Sequence, residues 1–277
     1  MNATDSTKPV THGRHSPTSP MLPPRWNWMY RWFRRYSVRY IRKHFHALRV
    51  SNGSAAIPAD DAPLLVVLNH PSWWDPLTCF ALLDLFPNRE HFAAIDAEAV
   101  RKYRFFSRLG FFGVDTTSLR GAAEFLRTGE SILREPSRTV WVTAQGRFAD
   151  VRVRPLDLRS GVGHLAARIE RGYVLPLAVE YTFWTERTPE ALVRFGEPID
   201  VTEAPGRSGK DWTRRIETAL TAALDGLASD ALSRDLARFT VLHSGKTGIG
   251  GVYDTWRRSL AWARGHRFDP AHGEGRR

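Results

Sequence analysis

Residues 64–77 read LLVVLNHPSWWDPL, an apolar run that leads through a polar loop into a helix-like segment. An uninterrupted apolar run of this length is typical of a strand buried on both faces of a sheet. The same alternation of strand and helix patterns continues along the chain, which predicts an α/β fold with a mixed, mostly parallel sheet flanked by helices. The predicted strands are 63–68, 92–95, 139–143, 174–181 and 192–195, and the predicted helices are 76–86, 98–108, 120–134, 161–171 and 210–228.

The net charge of +11 is carried by the two ends of the chain. Residues 1–60 have a net charge of +8 and residues 241–277 a net charge of +4, which leaves −1 for residues 61–240. Basic ends favour anionic partners, either acidic lipid or nucleic acid. We therefore divide the chain into a predicted disordered tail (1–22), a predicted amphipathic helix (23–50), a near-neutral central domain (51–240) and a basic C-terminal extension (241–277).

The predicted N-terminal helix has the composition of a helix that lies on a membrane surface. Its aromatic face and its basic face are distinct, and no acidic residue occurs between Asp5 and Asp60. Aromatic rings at headgroup depth and cations against anionic phosphates bind a helix to a bilayer. An alternative is a surface helix packed on the domain with its basic side in water. The predicted membrane-binding residues are Trp26, Tyr30, Arg31, Phe33, Arg34, Arg35 and Arg39.

No apolar run approaches the 18 residues that a membrane-spanning helix needs. The predicted location is accordingly the cytoplasmic face of the cell membrane, with peripheral attachment. The single cysteine, Cys79, excludes an intramolecular disulfide and any zinc site built from several cysteines, which fits a reducing compartment. We predict no metal and no bound cofactor.

The candidate catalytic pair is His70 and Asp75. His70 follows a buried strand, where open α/β sheets place their ligands, and Asp75 lies one turn into the next helix. The carboxylate can accept a hydrogen bond from one imidazole nitrogen and leave the other as a base. His91 and Asp96 have the same spacing, but they lie in a predicted strand, where residues five apart point to opposite faces.

Two tryptophans stand between the candidate catalytic residues. Trp73 and Trp74 either wall an acyl pocket or pack in the core at the start of the helix, and the sequence leaves both interpretations open.

The chain resembles the glycerolipid and lysophospholipid acyltransferase family in four blocks and in the segment that follows them. NHPSWWDP is similar to the family's first motif, an Asn-His followed by four residues and an Asp. The later matches have the family's order and spacing. They are LGFFGVD at 109–115, WVTAQGR at 141–147, VLPLA at 174–178 and VRFGEPI at 193–199.

The resemblance implies an O-acyltransferase that moves a fatty acyl group from acyl-CoA or acyl-carrier protein to a hydroxyl of a lipid acceptor. His70 would be the general base, Asp75 would orient it, and no metal would be needed. The family uses residues of its second and third blocks to hold the acceptor's phosphate. The corresponding acceptor-binding residues here would be Asp115, Arg120, Gln145, Gly146 and Arg147.

Three departures from the family pattern fall in this acceptor site. Thr116 stands where an arginine is common, Gln145 replaces a glutamate, and Arg147 follows Gly146 directly rather than one residue later. Because arginine is the natural bidentate partner of phosphate, these changes predict an acceptor other than lysophosphatidic acid.

Two alternatives to this enzyme remain open from the sequence. One is a membrane-binding homologue with altered catalysis, suggested by the changed third block; the intact His70 and Asp75 speak against it. The other is a basic nucleic-acid-binding protein, suggested by the pI of about 10.3. The aromatic stripe and the near-neutral domain favour a membrane over nucleic acid, so we predict anionic lipid, a lipid acceptor and acyl-carrier protein as partners, and no nucleic acid.

Overall fold

The computed structural model describes residues 22–245, and within them nine strands form one sheet. The helices are α1 (Asn27–His44), α2 (Asp75–Leu82), α3 (Ala97–Lys102), α4 (Leu119–Ile132), α5 (Gly161–Ala166) and α6 (Gly209–Ser233). The strands are β1 (Ala47–Ser51), β2 (Leu64–Leu68), β3 (Glu90–Asp96), β4 (Phe111–Val114), β5 (Arg138–Thr143), β6 (Tyr173–Thr182), β7 (Glu190–Phe195), β8 (Ile199–Asp200) and β9 (Phe239–Ser244).

The strand order is β4-β3-β5-β2-β6-β7-β1-β9, and β8 pairs with β6 beside this path. Strands β4, β3, β5, β2 and β6 run parallel to one another. Strand β7 is antiparallel to β6, β1 is parallel to β7, and β9 is antiparallel to β1. The predicted mixed, mostly parallel α/β sheet is therefore confirmed. The carboxyl ends of the five parallel strands meet at one edge, which is where this architecture places ligands.

Strand β2 lies near the middle of the sheet, and all five of its residues are buried. Its side chains alternate between two hydrophobic layers. Leu64, Val66 and Leu68 pack in the layer that contains α1 and α2, and Leu65 and Val67 pack in the layer that contains α4, α5 and α6. A strand covered on both faces needs apolar residues at every position, which explains the run LLVVL.

The sheet extends beyond the predicted domain limits of 51–240. The N-terminal helix ends at His44, and residues 47–51 form β1, which pairs with β7 and β9. Residues 239–244 form β9 rather than the start of a separate extension. The predicted disordered tail and most of the C-terminal extension, including the basic Trp-bearing segment, lie outside the described residues.

Helix α1 packs one side against α2 and exposes the other. Tyr30 and Phe33 are buried, with the Phe33 ring centroid 4.8 Å from that of Phe80 on α2. Arg34 forms an ion pair with Asp84. Tyr30 and Phe33 therefore do not match their predicted membrane-binding role, because their rings are buried against the domain. The outer face of α1 and the residue before it carry the exposed aromatic residues Trp26, Trp28, Trp32 and Tyr36, with Arg31, Arg35 and Arg39 exposed beside them.

No helix within residues 22–245 is long and apolar enough to cross a membrane.

Candidate active site

Asn69 fixes the loop that carries His70 to the neighbouring strand. Its side-chain Nδ2 donates to the carbonyl oxygen of Val179 at 2.9 Å, and its Oδ1 accepts from the Val179 amide at 2.8 Å. Asn69 thus continues the β2–β6 pairing through its side chain, one residue after β2 has ended. Because both hydrogen bonds are buried, the position at which the chain leaves the sheet is well defined.

His70 and Asp75 form the pair that the sequence predicted. His70 Nδ1 lies 2.6 Å from Asp75 Oδ2, and Asp75 is the first residue of α2. The side chain of His70 is 20% exposed, whereas that of Asp75 is 1% exposed. With the carboxylate accepting from Nδ1–H, Nε2 carries the free lone pair. The arrangement is that of a general base held in one tautomer by a buried carboxylate.

Tyr181 completes this group, and sequence reasoning missed it. The Tyr181 hydroxyl donates to Asp75 Oδ1 at 2.8 Å, and the Ser72 amide donates to Asp75 Oδ2 at 3.3 Å. Burial raises the pKa of the Asp75 carboxyl, and the hydrogen bonds from His70 and Tyr181 oppose that rise. Burial also raises the pKa of the Tyr181 hydroxyl, so it remains a donor. Tyr181 lies near the end of β6, the strand adjacent to β2, but nothing in the sequence indicated that β6 and β2 are neighbours.

Gln145 joins two loops at the same edge of the sheet. Its Oε1 accepts from the His70 backbone amide at 3.0 Å, and its Nε2 donates to the Leu156 carbonyl oxygen at 3.1 Å. An ionised glutamate at this buried position could not donate to the Leu156 carbonyl oxygen, which explains why residue 145 is a glutamine. In the structure Gln145 therefore supports the His70 loop, which differs from the acceptor-binding role that the resemblance predicted.

The loop that follows Gln145 returns to His70. Gly146 has a φ of +61°, the left-handed conformation that favours glycine, and it closes the turn that sends the chain back. The Ala149 amide then donates to the His70 carbonyl oxygen at 3.0 Å. The Phe148 ring, 60% exposed, lies 4.3 Å from the imidazole, a contact for which the sequence carried no signal. Arg147 belongs to this loop, and its guanidinium lies 3.3 Å from Asp157.

Asp115 and Arg120 lie at another part of the sheet edge. Asp115 follows β4, and β3 and β5 separate that strand from β2, a span of about 14 Å at normal strand spacing. The Asp115 carboxylate accepts from Thr117 and Ser118 at the start of α4, and these hydrogen bonds hold its pKa well below the usual range. Arg120 pairs with Glu124 on the exposed side of α4. The structure thus does not bring these two predicted acceptor residues beside His70.

The two tryptophans of the motif have different surroundings. Trp74 packs its ring against Phe45 at 4.8 Å and Tyr40 at 5.5 Å, which is the core-packing interpretation. Trp73 is 64% exposed and contacts the Trp74 ring at 5.6 Å. Trp73 is therefore the more exposed of the two rings and the better placed to line an acyl pocket.

The second His-x4-Asp match forms no site, as predicted. His91 is buried and accepts from the Trp141 indole N–H at 3.2 Å, while Asp96 is exposed and caps α3. Burial lowers the pKa of His91 to about 3. Within residues 22–245 no group of three or more His, Cys, Asp or Glu residues is placed to hold a metal ion.

The contact between Tyr181 and Asp75 has a kinetic consequence. We expect Tyr181→Phe to lower kcat about tenfold near neutral pH, because a hydrogen bond to a charged group is worth about 1.5–3 kcal/mol. Loss of the donor should raise the pKa of Asp75, so the acid limb of the pH–rate profile should move to higher pH. Tyr173→Phe, at the opposite end of β6, is the matched control. An unshifted acid limb would show that Tyr181 serves packing alone.

Comparisons with known proteins give a matching family model and a similar fold. A sequence model of the acyltransferase family matches residues 47–180. The fold is similar to the crystal structure of PlsC, the 1-acyl-sn-glycerophosphate (LPA) acyltransferase from Thermotoga maritima, with a TM-score of 0.52 and 16% identity over 72% of this chain and 80% of that chain. A search of curated proteins finds no match. Residues 47–180 thus match the acyltransferase family and carry the Asn-His-x4-Asp motif within a fold similar to that of PlsC.

Proposed function

We propose that this acyltransferase moves a fatty acyl group from an acyl thioester to a hydroxyl of a lipid acceptor at a membrane surface. The observation that supports it most directly is the 2.6 Å contact between His70 Nδ1 and the buried carboxylate of Asp75. That contact leaves Nε2 of a partly exposed imidazole free to meet a substrate hydroxyl. The acyl donor is acyl-CoA or acyl-carrier protein.

The proposed reaction needs no nucleophile from the protein. His70 Nε2 takes the proton of the acceptor hydroxyl as its oxygen attacks the thioester carbonyl carbon, and Asp75 stabilises the imidazolium that forms. When the tetrahedral intermediate collapses, the carbon–sulfur bond breaks and the imidazolium returns the proton to the leaving thiol. The products are an ester and a free thiol, and the base is regenerated.

A line of aromatic rings supports delivery of the acceptor from a bilayer. Trp32 stacks on Tyr36 with ring centroids 5.7 Å apart, and Tyr36 stacks on Tyr40 at 5.4 Å. Tyr40 then contacts Trp74 at 5.5 Å, which contacts the exposed Trp73 at 5.6 Å. The line leads from the outer face of α1 to the loop that carries the proposed base. A hydrocarbon chain leaving the membrane along it would find apolar contacts throughout.

The basic side of α1 provides a test of the membrane role. We expect Arg31→Glu, Arg35→Glu and Arg39→Glu together to lower partitioning onto anionic vesicles by at least 10²-fold, since each basic residue near such a surface contributes about 1 kcal/mol. Arg34 is omitted because it pairs with Asp84. Co-sedimentation measures the effect, with the same three changes at Arg127, Arg171 and Arg207 as the control. A loss of binding to duplex DNA with unchanged binding to vesicles would support the nucleic-acid alternative instead.

The acceptor itself is proposed to be a lipid hydroxyl other than that of lysophosphatidic acid. Thr116 supplies no charged donor, and Gln145 is committed to supporting the His70 loop. Arg147 and Arg120 are paired with carboxylates. A phosphate that lacks one charge-assisted donor is under-compensated by about 1.5–3 kcal/mol, at least a tenfold loss of affinity.

A side-by-side assay tests the proposed activity and its acceptor together. The purified protein is given acyl-CoA or, in a parallel series, acyl-carrier protein as donor. Each donor is combined with lysophosphatidic acid, other lysophospholipids or a glycolipid, and thiol release and new ester are measured. We expect transfer to at least one acceptor and at least tenfold lower kcat/KM for lysophosphatidic acid. If lysophosphatidic acid is the best acceptor by a wide margin, the role assigned to Thr116 and Gln145 is wrong. If no lipid hydroxyl is acylated from either type of donor, the proposed function is wrong.

A further inference from the structure

A second basic and aromatic segment lies on the surface beside α1. Residues 101–108 read RKYRFFSR and contain four cations, three aromatic residues and no acid. All four cations are exposed, and Tyr103 and Phe105 are 46% and 38% exposed. Exposed aromatic side chains with an excess of one charge sign are uncommon on a surface that faces only water. The nearest acid before the segment is Glu98, in the first turn of α3.

This segment touches α1 through aromatic rings. The Phe105 ring centroid lies 5.9 Å from that of Phe33 on α1. Phe33 in turn contacts Trp32 at 6.4 Å and Tyr36 at 5.8 Å, which are both exposed. The exposed aromatic residues of the segment and of the helix are therefore linked through the buried ring of Phe33.

The start of α1 is attached to the end of the same segment. The Trp26 amide donates to the Arg108 carbonyl oxygen at 2.8 Å, and the Arg108 guanidinium lies 4.4 Å from the Trp26 ring centroid. The Gly110 amide donates to the Pro24 carbonyl oxygen at 3.2 Å. These contacts hold the two elements side by side, so they present their outward surfaces together.

We propose that segment 101–108 and the outer face of α1 form a single surface that docks on an anionic lipid bilayer. The inference rests on the proposed membrane-surface function and adds a second contact element to it. Charge complementarity selects the partner, because the segment contributes four cations and α1 contributes Arg31, Arg35 and Arg39 with no acid among them. The aromatic side chains suit the headgroup region.

The second element would set the orientation of the enzyme on the bilayer. A single amphipathic helix can roll about its own axis on a surface, whereas two elements attached side by side define a plane. Trp73 lies at the end of the aromatic line that starts on this surface. A fixed orientation would keep that line, and the imidazole beyond it, facing the membrane.

The test leaves α1 unchanged and neutralises the segment in the full-length protein. Arg101→Gln, Lys102→Gln and Arg104→Gln are combined, and the matched control combines Arg127→Gln, Arg171→Gln and Arg207→Gln, which gives the same net charge. Co-sedimentation is measured with vesicles of phosphatidylcholine containing phosphatidylglycerol, and with phosphatidylcholine alone. We expect the segment variant to partition on the order of 10²-fold less onto the anionic vesicles, and the control to partition like the parent. Thermal melting verifies that both variants are folded.

The outcomes separate this inference from the proposed function. Equal partitioning of the two variants overturns the inference, because segment 101–108 would then make no contact with lipid. The α1 variant and the acyl-transfer assay still decide the proposed function in that case. A selective loss in the segment variant that disappears at high salt supports the inference, since surface charge contacts are screened by salt.

Discussion

Replacing His70 with alanine is expected to lower kcat for acyl transfer by about 10²–10⁴-fold, the usual cost of removing a general base. The fold should persist, because the His70 side chain is partly exposed and its backbone contacts with Gln145 and Ala149 do not involve the imidazole. Thiol release from an acyl thioester is measured in parent and variant, together with thermal melting. Full activity in a folded His70→Ala protein would contradict the proposed mechanism.

His91→Ala is the matched control for this experiment. His91 has the same spacing to an aspartate but lies in the core, where it accepts from the Trp141 indole N–H. Its replacement leaves that donor buried without its partner, so the variant should lose stability by about 1–3 kcal/mol. Catalysis per folded molecule should stay close to that of the parent. If His91→Ala lost acyl transfer and His70→Ala kept it, His91 rather than His70 would be the general base.

Replacing Asp75 with asparagine is expected to lower kcat on the order of 10⁴-fold without disturbing the fold. The asparagine Nδ2 would donate to His70 Nδ1, so the proton of the neutral imidazole would move to Nε2 and the base would be lost. The amide oxygen could still accept from Tyr181. A loss of kcat of this size with an unchanged KM for the donor would support this mechanism. A modest loss of kcat would show that Asp75 does not select the tautomer of His70.

The same variant should melt at the same or a higher temperature than the parent near neutral pH. Burial raises the pKa of Asp75 in the folded state. The stability linked to a raised pKa is present below the unfolded value and is lost as pH rises through the folded value. Above the pH range between the unfolded and folded pKa values of Asp75, the ionised and buried carboxylate therefore lowers the stability of the folded protein. Asparagine is neutral and removes this cost. The advantage of Asp75→Asn should shrink as pH falls through this range, which melting curves across pH will show.

The sequence predicts the centre of the sheet better than its margin. Strand β2 is recognisable because a strand covered by helices on both faces must be apolar throughout. Strands β1 and β9 have mixed sequences, ALRVS and FTVLHS, which carry no local signal of that kind. They are strands because they pair with each other and β1 pairs with β7, across long separations in the chain.

The candidate site divides in the same way. His70 and Asp75 are five residues apart across a strand–loop–helix junction, so their pairing is a local property that the spacing predicts. Tyr181 and Gln145 reach this group from 106 and 75 residues away. Their roles depend on β6 and β5 lying on either side of β2, which no local pattern specifies.

Helix α1 shows most clearly which properties the sequence determines and which the tertiary structure determines. The sequence alone determines that residues 27–44 are helical, aromatic and basic, because periodicity and the absence of acids are properties of the segment itself. Only the tertiary structure decides that Tyr30 and Phe33 are buried while Trp28 and Trp32 remain exposed. Aromatic rings are stabilised both by a protein core and by a lipid interface. The side that becomes buried is the one whose rings fit against Phe80 of α2, and that fit exists only once α2 is in place.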